Sequence, residues 1–238
     1  MYTDIHSHII PEVDDGACNM EESLQLLKSM AAQGITSLIA TPHFYAEDSL
    51  ITPTQHNGAM QNALNKLRAE VEGRGLPNIR LGHEVHYFGG ISTCEEITSL
   101  CFAGSKYFLL ELPYSHIGSN VATEIVEFSL NFGVKPILAH IERYARHDAF
   151  CDLLDIIKEG FAEAQINCDS VIDKRLRRLS FDLIKSGYVS YLATDTHGIT
   201  VRPPHYSEAI EIISKKIGGS VAKKLCDNAN RLFQELED

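Results

Sequence analysis

Short apolar strands alternate with helical stretches about seven times along this chain, and almost every strand runs into a histidine or a carboxylate. The first strand ends in His6 and His8, the second in His43 and the third in Glu84. The fourth ends in Glu111, the fifth in His140, and the last in Asp195 and His197. Strand and helix in alternation predict a parallel sheet, and 238 residues suit one closed or distorted α/β barrel. An open doubly wound sheet is the competing architecture, but no Gly-x-Gly-x-x-Gly follows the first strand. In a barrel the carboxyl ends of the strands converge on one face, so residues from both ends of the chain meet in one pocket.

The first strand shows how such a site starts. Residues i and i+2 of a strand share a face, which puts the imidazoles of His6 and His8 side by side. Asp14 and Asp15, before Gly16, can fold a carboxylate back over them. Asn19 and Glu22 form a capping pair for a helix over 20–33. Further strands are predicted over 36–41, 79–85, 107–112, 135–140, 162–168 and 188–195, with a polar loop over 44–54. Helices are predicted over 55–73, near 95–102, after a cap at Asn120, from Asp148 to a stop at Gly160, and over 174–186. A last helical region begins at His205 and breaks at Gly218-Gly219. No repeat or linker interrupts this order, so residues 1–238 read as one domain.

Composition narrows the partners. The net charge is −11 with no basic block, which argues against nucleic acid. No apolar run approaches the roughly 20 residues of a membrane helix, so this is not a membrane protein. The first strand begins at Tyr2 without a leader, and the six cysteines lack any Cys-x-x-Cys pair. Both point to a cytoplasmic protein with free thiols.

Imidazole and carboxylate without thiolate suits Mn²⁺, Fe²⁺ or Zn²⁺ at a polynuclear site better than a structural zinc cage. Arg143 and Arg202 fall on loops past the fifth and last strands, at the mouth of the pocket. Their planar forks match phosphate oxygens; the other reading is of solvated charges, Arg143 pairing with Glu142 or Asp148.

Eight motifs carry a resemblance over almost the whole chain. They are Asp-Ile-His-Ser-His at 4–8, Val-Asp-Asp-Gly at 13–16, Thr-Pro-His at 41–43 and Gly-His-Glu at 82–84. Leu-Glu-Leu-Pro at 110–113, Ala-His-Ile-Glu-Arg-Tyr at 139–144, Thr-Asp-Thr-His at 194–197 and Arg-Pro-Pro-His at 202–205 follow. In this order they resemble the PHP superfamily, of polymerase and histidinol phosphatase. Within it they are similar to the manganese-dependent protein tyrosine phosphatases of bacterial capsule and exopolysaccharide loci.

The resemblance implies a distorted (β/α)7 TIM-like barrel with a trinuclear site. His6, His8, Glu84 and Asp195 would hold one ion. Glu111 and His140 would hold a second, bridged through Glu84, and Asp15, His43 and His197 a third, Glu111 being available to it as well. Mn²⁺ is the expected metal, with Fe, Zn or Co as alternatives. Arg143 and Arg202 would grip the phosphate beside Asp195. Three divalent ions against Asp15, Glu84, Glu111 and Asp195 leave a net of about +2, which attracts a phosphate dianion to an acidic protein. A water between the ions would lose its proton near neutral pH and attack phosphorus in line. The implied substrate is a phosphotyrosine protein, the tyrosine-rich tail of an autophosphorylating kinase. A histidinol-phosphatase type of small-molecule activity and a non-catalytic metal-dependent regulatory module are the alternatives, and self-association is left open. None of the cysteines is followed six residues later by arginine, the spacing that a thiol-based phosphatase needs. His83 and His86, beside Glu84, depart from the family pattern, as partners of the ligands or as bystanders.

Overall fold

The structure is a computed structural model describing residues 1–47 and 50–237. Residues 48 and 49 of the expected polar loop lie outside the described residues. Among the described residues nine strands, all paired in parallel, form two sheets. The smaller has the order β1 (Tyr2–Ser7), β2 (Ile35–Ala40), β4 (Asn78–Leu81). The larger runs β3 (His43–Phe44), β5 (Glu84–His86), β6 (Tyr107–Glu111), β7 (Lys135–Leu138), β8 (Glu163–Asn167), β9 (Tyr191–Ala193). A parallel bridge between Ser7 and Thr196 joins β1 to the segment after β9. Beside it the Asp195 N–H donates to the His6 carbonyl and the His8 N–H to the Thr196 carbonyl, both at 2.9 Å.

Three predicted strands are cut short, each for a local reason. The strand expected over 79–85 is two pieces, β4 and β5, in different sheets. Gly82 stands at the break, where a Cβ would lie 2.3 Å from the Phe102 ring; only glycine admits that approach. The strands expected to reach His140 and Asp195 end at Leu138 and Ala193. His140 and Asp195 themselves turn left-handed, with φ of 35° and 50°, so neither continues a ladder.

The helices are α1 (Met20–Ala32), α2 (Pro53–Val71), α3 (Val121–Phe132), α4 (Phe150–Glu159), α5 (Cys168–Ile172), α6 (Arg177–Lys185), α7 (Tyr206–Lys216) and α8 (Gly219–Glu235). The Asn19 side chain accepts from the Glu22 N–H at 2.9 Å, as the sequence predicts. Asn120 does not cap α3; its amide donates to Glu124 Oε1 instead. The 95–102 segment is 3₁₀ rather than α, and α5 was not expected.

Helices α1 to α4 bury Leu26, Leu27, Leu64, Leu67, Phe128 and Leu153 in the main apolar cluster with the strands. Ile5, Ile39, Leu109 and Ile137 form a second cluster with Leu232, Phe233 and Leu236 of α8 and the turn after it. Helix α8 also lines a cavity together with the first residues of β6, β8 and β9. It therefore covers the amino ends of the strands and leaves the carboxyl ends for the site.

Candidate metal centre

The carboxyl end of β1, the first residue of β5 and the turn after β9 bring His6, His8, Glu84 and Asp195 together, all buried. His6 Nε2 lies 3.2 Å from His8 Nε2. Glu84 Oε2 is 3.1 Å from the first nitrogen and 3.3 Å from the second. Asp195 Oδ1 is 3.4 and 3.6 Å from the same two atoms. Bare imidazole nitrogens have no attraction for each other, so this inward-facing set fits a cation among its four donors.

Two more groups overlap it. His8, Asp15, His43 and His197 offer one donor each within 4.8 Å of one another, as do His43, Glu84 and Glu111. Asp15 Oδ1 lies 3.4 Å from His43 Nε2 and 3.3 Å from His197 Nε2. His140 Nε2 is 3.1 Å from Glu84 Oε1 and 3.5 Å from Glu111 Oε1. Every candidate ligand thus reaches one face. The grouping is more interlocked than the sequence implies: His8 belongs to two groups, and His43 Nδ1 stands 3.2 Å from Glu84 Oε2. Gly16 lets the acidic loop close over His8, since a Cβ there would lie 2.2 Å from the His8 carbonyl oxygen.

The outer nitrogens of His6, His8, His140 and His197 are engaged, which orients these rings. Gln165 Oε1 accepts the His140 N–H at 2.8 Å and faces His6 Nδ1 at 3.2 Å, so His6 donates there and keeps Nε2 bare. His8 Nδ1 donates to Asp14 Oδ2 at 2.9 Å and His197 Nδ1 to the Asp195 carbonyl at 2.9 Å. His140 Nδ1 lies 3.2 Å from the Tyr144 hydroxyl. His197 Nε2 and His43 Nδ1 are buried without a hydrogen-bond partner. Oriented imidazoles backed by carboxylate, amide or carbonyl are the arrangement that metal ligands need.

The electrostatics agree. Burial favours neutral carboxyls, yet the surrounding histidines hold Glu84 and Asp195 well below the ordinary range. Burial likewise opposes the His8 cation, but hydrogen bonds to Asp14 and Glu84 prevail and raise its pKa to about 10. His140 is raised to about 9 by Glu111 and Glu84 against the same burial cost. A buried site that binds protons this tightly has negative potential to spare for cations.

Arg143 and Arg202 stand at the rim. Arg143 Nη2 donates to Asp195 Oδ2 at 2.9 Å, and Arg202 Nη1 lies 3.3 Å from the same oxygen. Arg143 does not pair with Glu142, which is buried and bonded to Ser170 and the Asn167 N–H. Arg202 has φ of 51°; with His140, Asp195 and Glu12 it accounts for all the left-handed non-glycine residues described. Such strain concentrates where the surroundings over-determine a functional geometry. His86 Nδ1 touches Glu111 Oε2 at 3.2 Å and is a partner of a candidate ligand. His83 bonds the Leu100 carbonyl instead, and burial lowers its pKa to about 3.

Sequence reasoning had Asp14 only as a carboxylate folding over the histidines and Tyr144 only within a motif, and it passed over Gln165, Asn167 and Tyr114. Gln165 and Asn167 carried a usable signal: two polar residues at i and i+2 on an apolar strand, the pattern of His6 and His8. The tyrosines carried none, because a tyrosine near a strand end reads as core.

The sequence pattern of a family described as "Capsular polysaccharide synthesis, CpsB/CapC" matches residues 2–234. The tyrosine-protein phosphatase YwqE of Bacillus subtilis is 28% identical over 97% of this chain and 91% of its own. The putative tyrosine-protein phosphatase CapC of Staphylococcus aureus is 31% identical over 84% of this chain and 78% of its own. A solved structure from work on YwqE and Streptococcus pneumoniae CpsB, described as "unique metal-dependent tyrosine phosphatases", superimposes with a TM-score of 0.84 at 26% identity. It covers 99% of this chain and 95% of the other. An amidohydrolase structure, 10% identical with a TM-score of 0.55, shares the fold alone. The chain belongs to the CpsB/CapC family of capsular polysaccharide synthesis.

Proposed function

We propose that this protein is a metal-dependent protein-tyrosine phosphatase serving capsule or exopolysaccharide synthesis, with the tail of a tyrosine autokinase as its substrate. One observation carries the reading: a pocket of about 260 Å³ brings Asp15, His43, Glu84, Glu111 and Asp195 of the overlapping donor groups together with Arg143 and Arg202, both anchored on Asp195. His6, His8, Glu84 and Asp195 would hold one divalent ion, Glu111 and His140 with Glu84 a second, and Asp15, His43 and His197 a third. Manganese is our choice, with iron, zinc and cobalt compatible with the same donors. Bound divalent ions acidify a water and offset phosphate charge.

The chain's own groups do the rest. Asp195 holds the two guanidiniums side by side, and each has five N–H donors, enough to serve a phosphate oxygen while keeping the carboxylate. Asp14, Gln165 and the Asp195 carbonyl keep the histidines turned inward. A phenolate leaving group, with a pKa near 10, needs little proton donation.

We read the two sheets as one distorted barrel. If β2 with β3 and β4 with β5 are each a single bent strand, nine strands become seven, and the Ser7–Thr196 bridge closes the ring. The candidate residues span positions 6 to 202, which supports one functional unit over 1–238. Six unpaired cysteines support a reducing, cytoplasmic setting. Among the described residues no helix is long and apolar enough to cross a membrane.

The test couples elemental analysis to turnover. Purified protein should contain about three divalent ions and hydrolyse a phosphotyrosine peptide faster than histidinol phosphate. Chelation should lower the rate by ~10³-fold or more, and iodoacetamide should not. Full metal content without turnover of either substrate would refute the enzymatic reading.

A further inference from the structure

Two tyrosines stand where the pocket opens. Tyr45 is 39% exposed and Tyr114 51%, whereas Glu111, between them, is 6% exposed. The Tyr45 ring lies 5.2 Å from that of His43 and 5.3 Å from that of His86. The Tyr114 ring is stacked at 5.9 Å on His140. Both flank Glu111: the Tyr114 hydroxyl donates to Oε1 at 2.7 Å, and His86, against which Tyr45 packs, meets Oε2. Tyr114 also receives a hydrogen bond from Arg143 Nη1 at 2.6 Å. The supports that fix the histidines do not use either ring.

We propose that Tyr45 and Tyr114 are specificity-determining residues that select an aryl phosphate over an alkyl phosphate. The inference rests on the phosphatase reading above. Both exposed rings line the pocket that leads down to Glu111 and the buried donors beneath. A phosphotyrosine carries its own ring into that passage, where aromatic faces pair at centroid separations of about 4.5–7 Å. A phosphoserine has no ring, and its phosphate is tethered so closely that the peptide backbone itself would have to descend between the tyrosines. The volume, about 260 Å³, lies below the range of drug-sized sites and suits one phosphorylated side chain. The Tyr114 hydroxyl has a separate task, positioning Arg143.

The experiment uses metal-loaded protein with Y45A, Y114A and Y114F, each checked for metal content. Substrates are two peptides of one sequence carrying phosphotyrosine or phosphoserine. A phosphonate analogue of the phosphotyrosine peptide, which cannot turn over, reports affinity directly. Y45A and Y114A should each weaken phosphonate binding and raise KM for phosphotyrosine by about three- to tenfold. The phosphoserine kcat/KM should not fall at Y45A, so the aryl-to-alkyl ratio drops. Y114F should keep the aryl-to-alkyl ratio within about twofold while KM rises on both substrates, through the loosened Arg143. Unchanged ratios and affinities in both alanine variants, with wild-type turnover of phosphotyrosine intact, would overturn the tyrosines' role alone. A wild-type protein that cleaves phosphoserine or histidinol phosphate but not phosphotyrosine would overturn the phosphatase assignment beneath it.

Discussion

Within the strands, Ile5, Ile39, Leu109 and Ile137 pack against Leu232 and Phe233 near α8. Above them, His6 and His8 at the end of β1, Glu84 at the start of β5, His140 after β7 and Asp195 after β9 are buried as deeply, but against one another. The apolar end has ordinary backbone and gains free energy from each side chain removed from water. The polar end holds all the left-handed non-glycine residues described, and its carboxylates and imidazoles are buried at a cost that neighbouring opposite charge offsets. The comparison teaches that the strands are held from below so that their upper ends can be strained and charged.

Substitution in the lower cluster should separate the two ends most sharply. Leu109→Ala should lower unfolding free energy by about 2–5 kcal/mol, through lost transfer and a cavity. Protein that remains folded should keep its metals and its kcat. Thermal denaturation with elemental analysis decides this, and a stable Leu109→Ala variant lacking metal would mean that the ends are not independent.

The site should respond to pH next most strongly. In the metal-free protein His8 is raised to about 10 and His140 to about 9, so both are cations at neutral pH. The ion at each histidine must displace one proton. Raising the pH from 7 to 8 should then tighten the binding of each of these two ions by up to about tenfold, the slope for the ion at His140 levelling off above about 9. The sign is opposite for the metal-free fold. The stability these cations confer is complete below the ordinary pKa of 6.5 and is lost as pH rises through 9 and 10. Calorimetry in buffers of different ionisation enthalpy counts the protons; none released would refute the assignment of His8 and His140.

At the rim, Arg143→Ala should leave metal content unchanged and raise KM about 10- to 100-fold, the worth of a hydrogen bond to a charged group. Unchanged kinetics would remove Arg143 from phosphate binding and leave it as a counter-ion for Asp195.

The two ends differ in how far the sequence reveals them. The apolar strands were legible because period and length are local properties, and the strand-end histidines and acids because a parallel fold converges them. The break at Gly82 was not, since it depends on Phe102, twenty residues away, filling the space over that backbone. Nor was the end of β7 short of His140, where the left-handed turn is imposed by its surroundings and not by propensity. Helix α5 was not legible because the strand expected over 162–168 takes in its first residue, Cys168, and the four that follow are too few to show a helical period. The anchoring of Arg143 on Asp195 and Tyr114, and not on Glu142, joins residues from three loops, which no local pattern encodes.

Gln165 joins the two kinds of region, a polar side chain wholly buried on β8 among apolar neighbours. Its oxygen takes the His140 N–H and holds His6 Nδ1; its amide donates to Asn167 Oδ1 at 2.7 Å, and Asn167 donates to Asp195 Oδ2 at 2.7 Å. One side chain thereby orients three candidate ligands. Gln165→Leu matches its bulk but leaves two donors unanswered, which should cost about 1–3 kcal/mol of stability. Freed of its acceptor, His6 can carry its proton on Nε2, and metal affinity should fall by about tenfold, the lower end for such outer partners. Gln165→Glu restores an acceptor for His6 and should recover part of that affinity. If the Leu variant binds metal as the wild type does, Gln165 belongs energetically with the packed lower end, and the boundary between the two regions lies higher on β8 than its hydrogen bonds suggest.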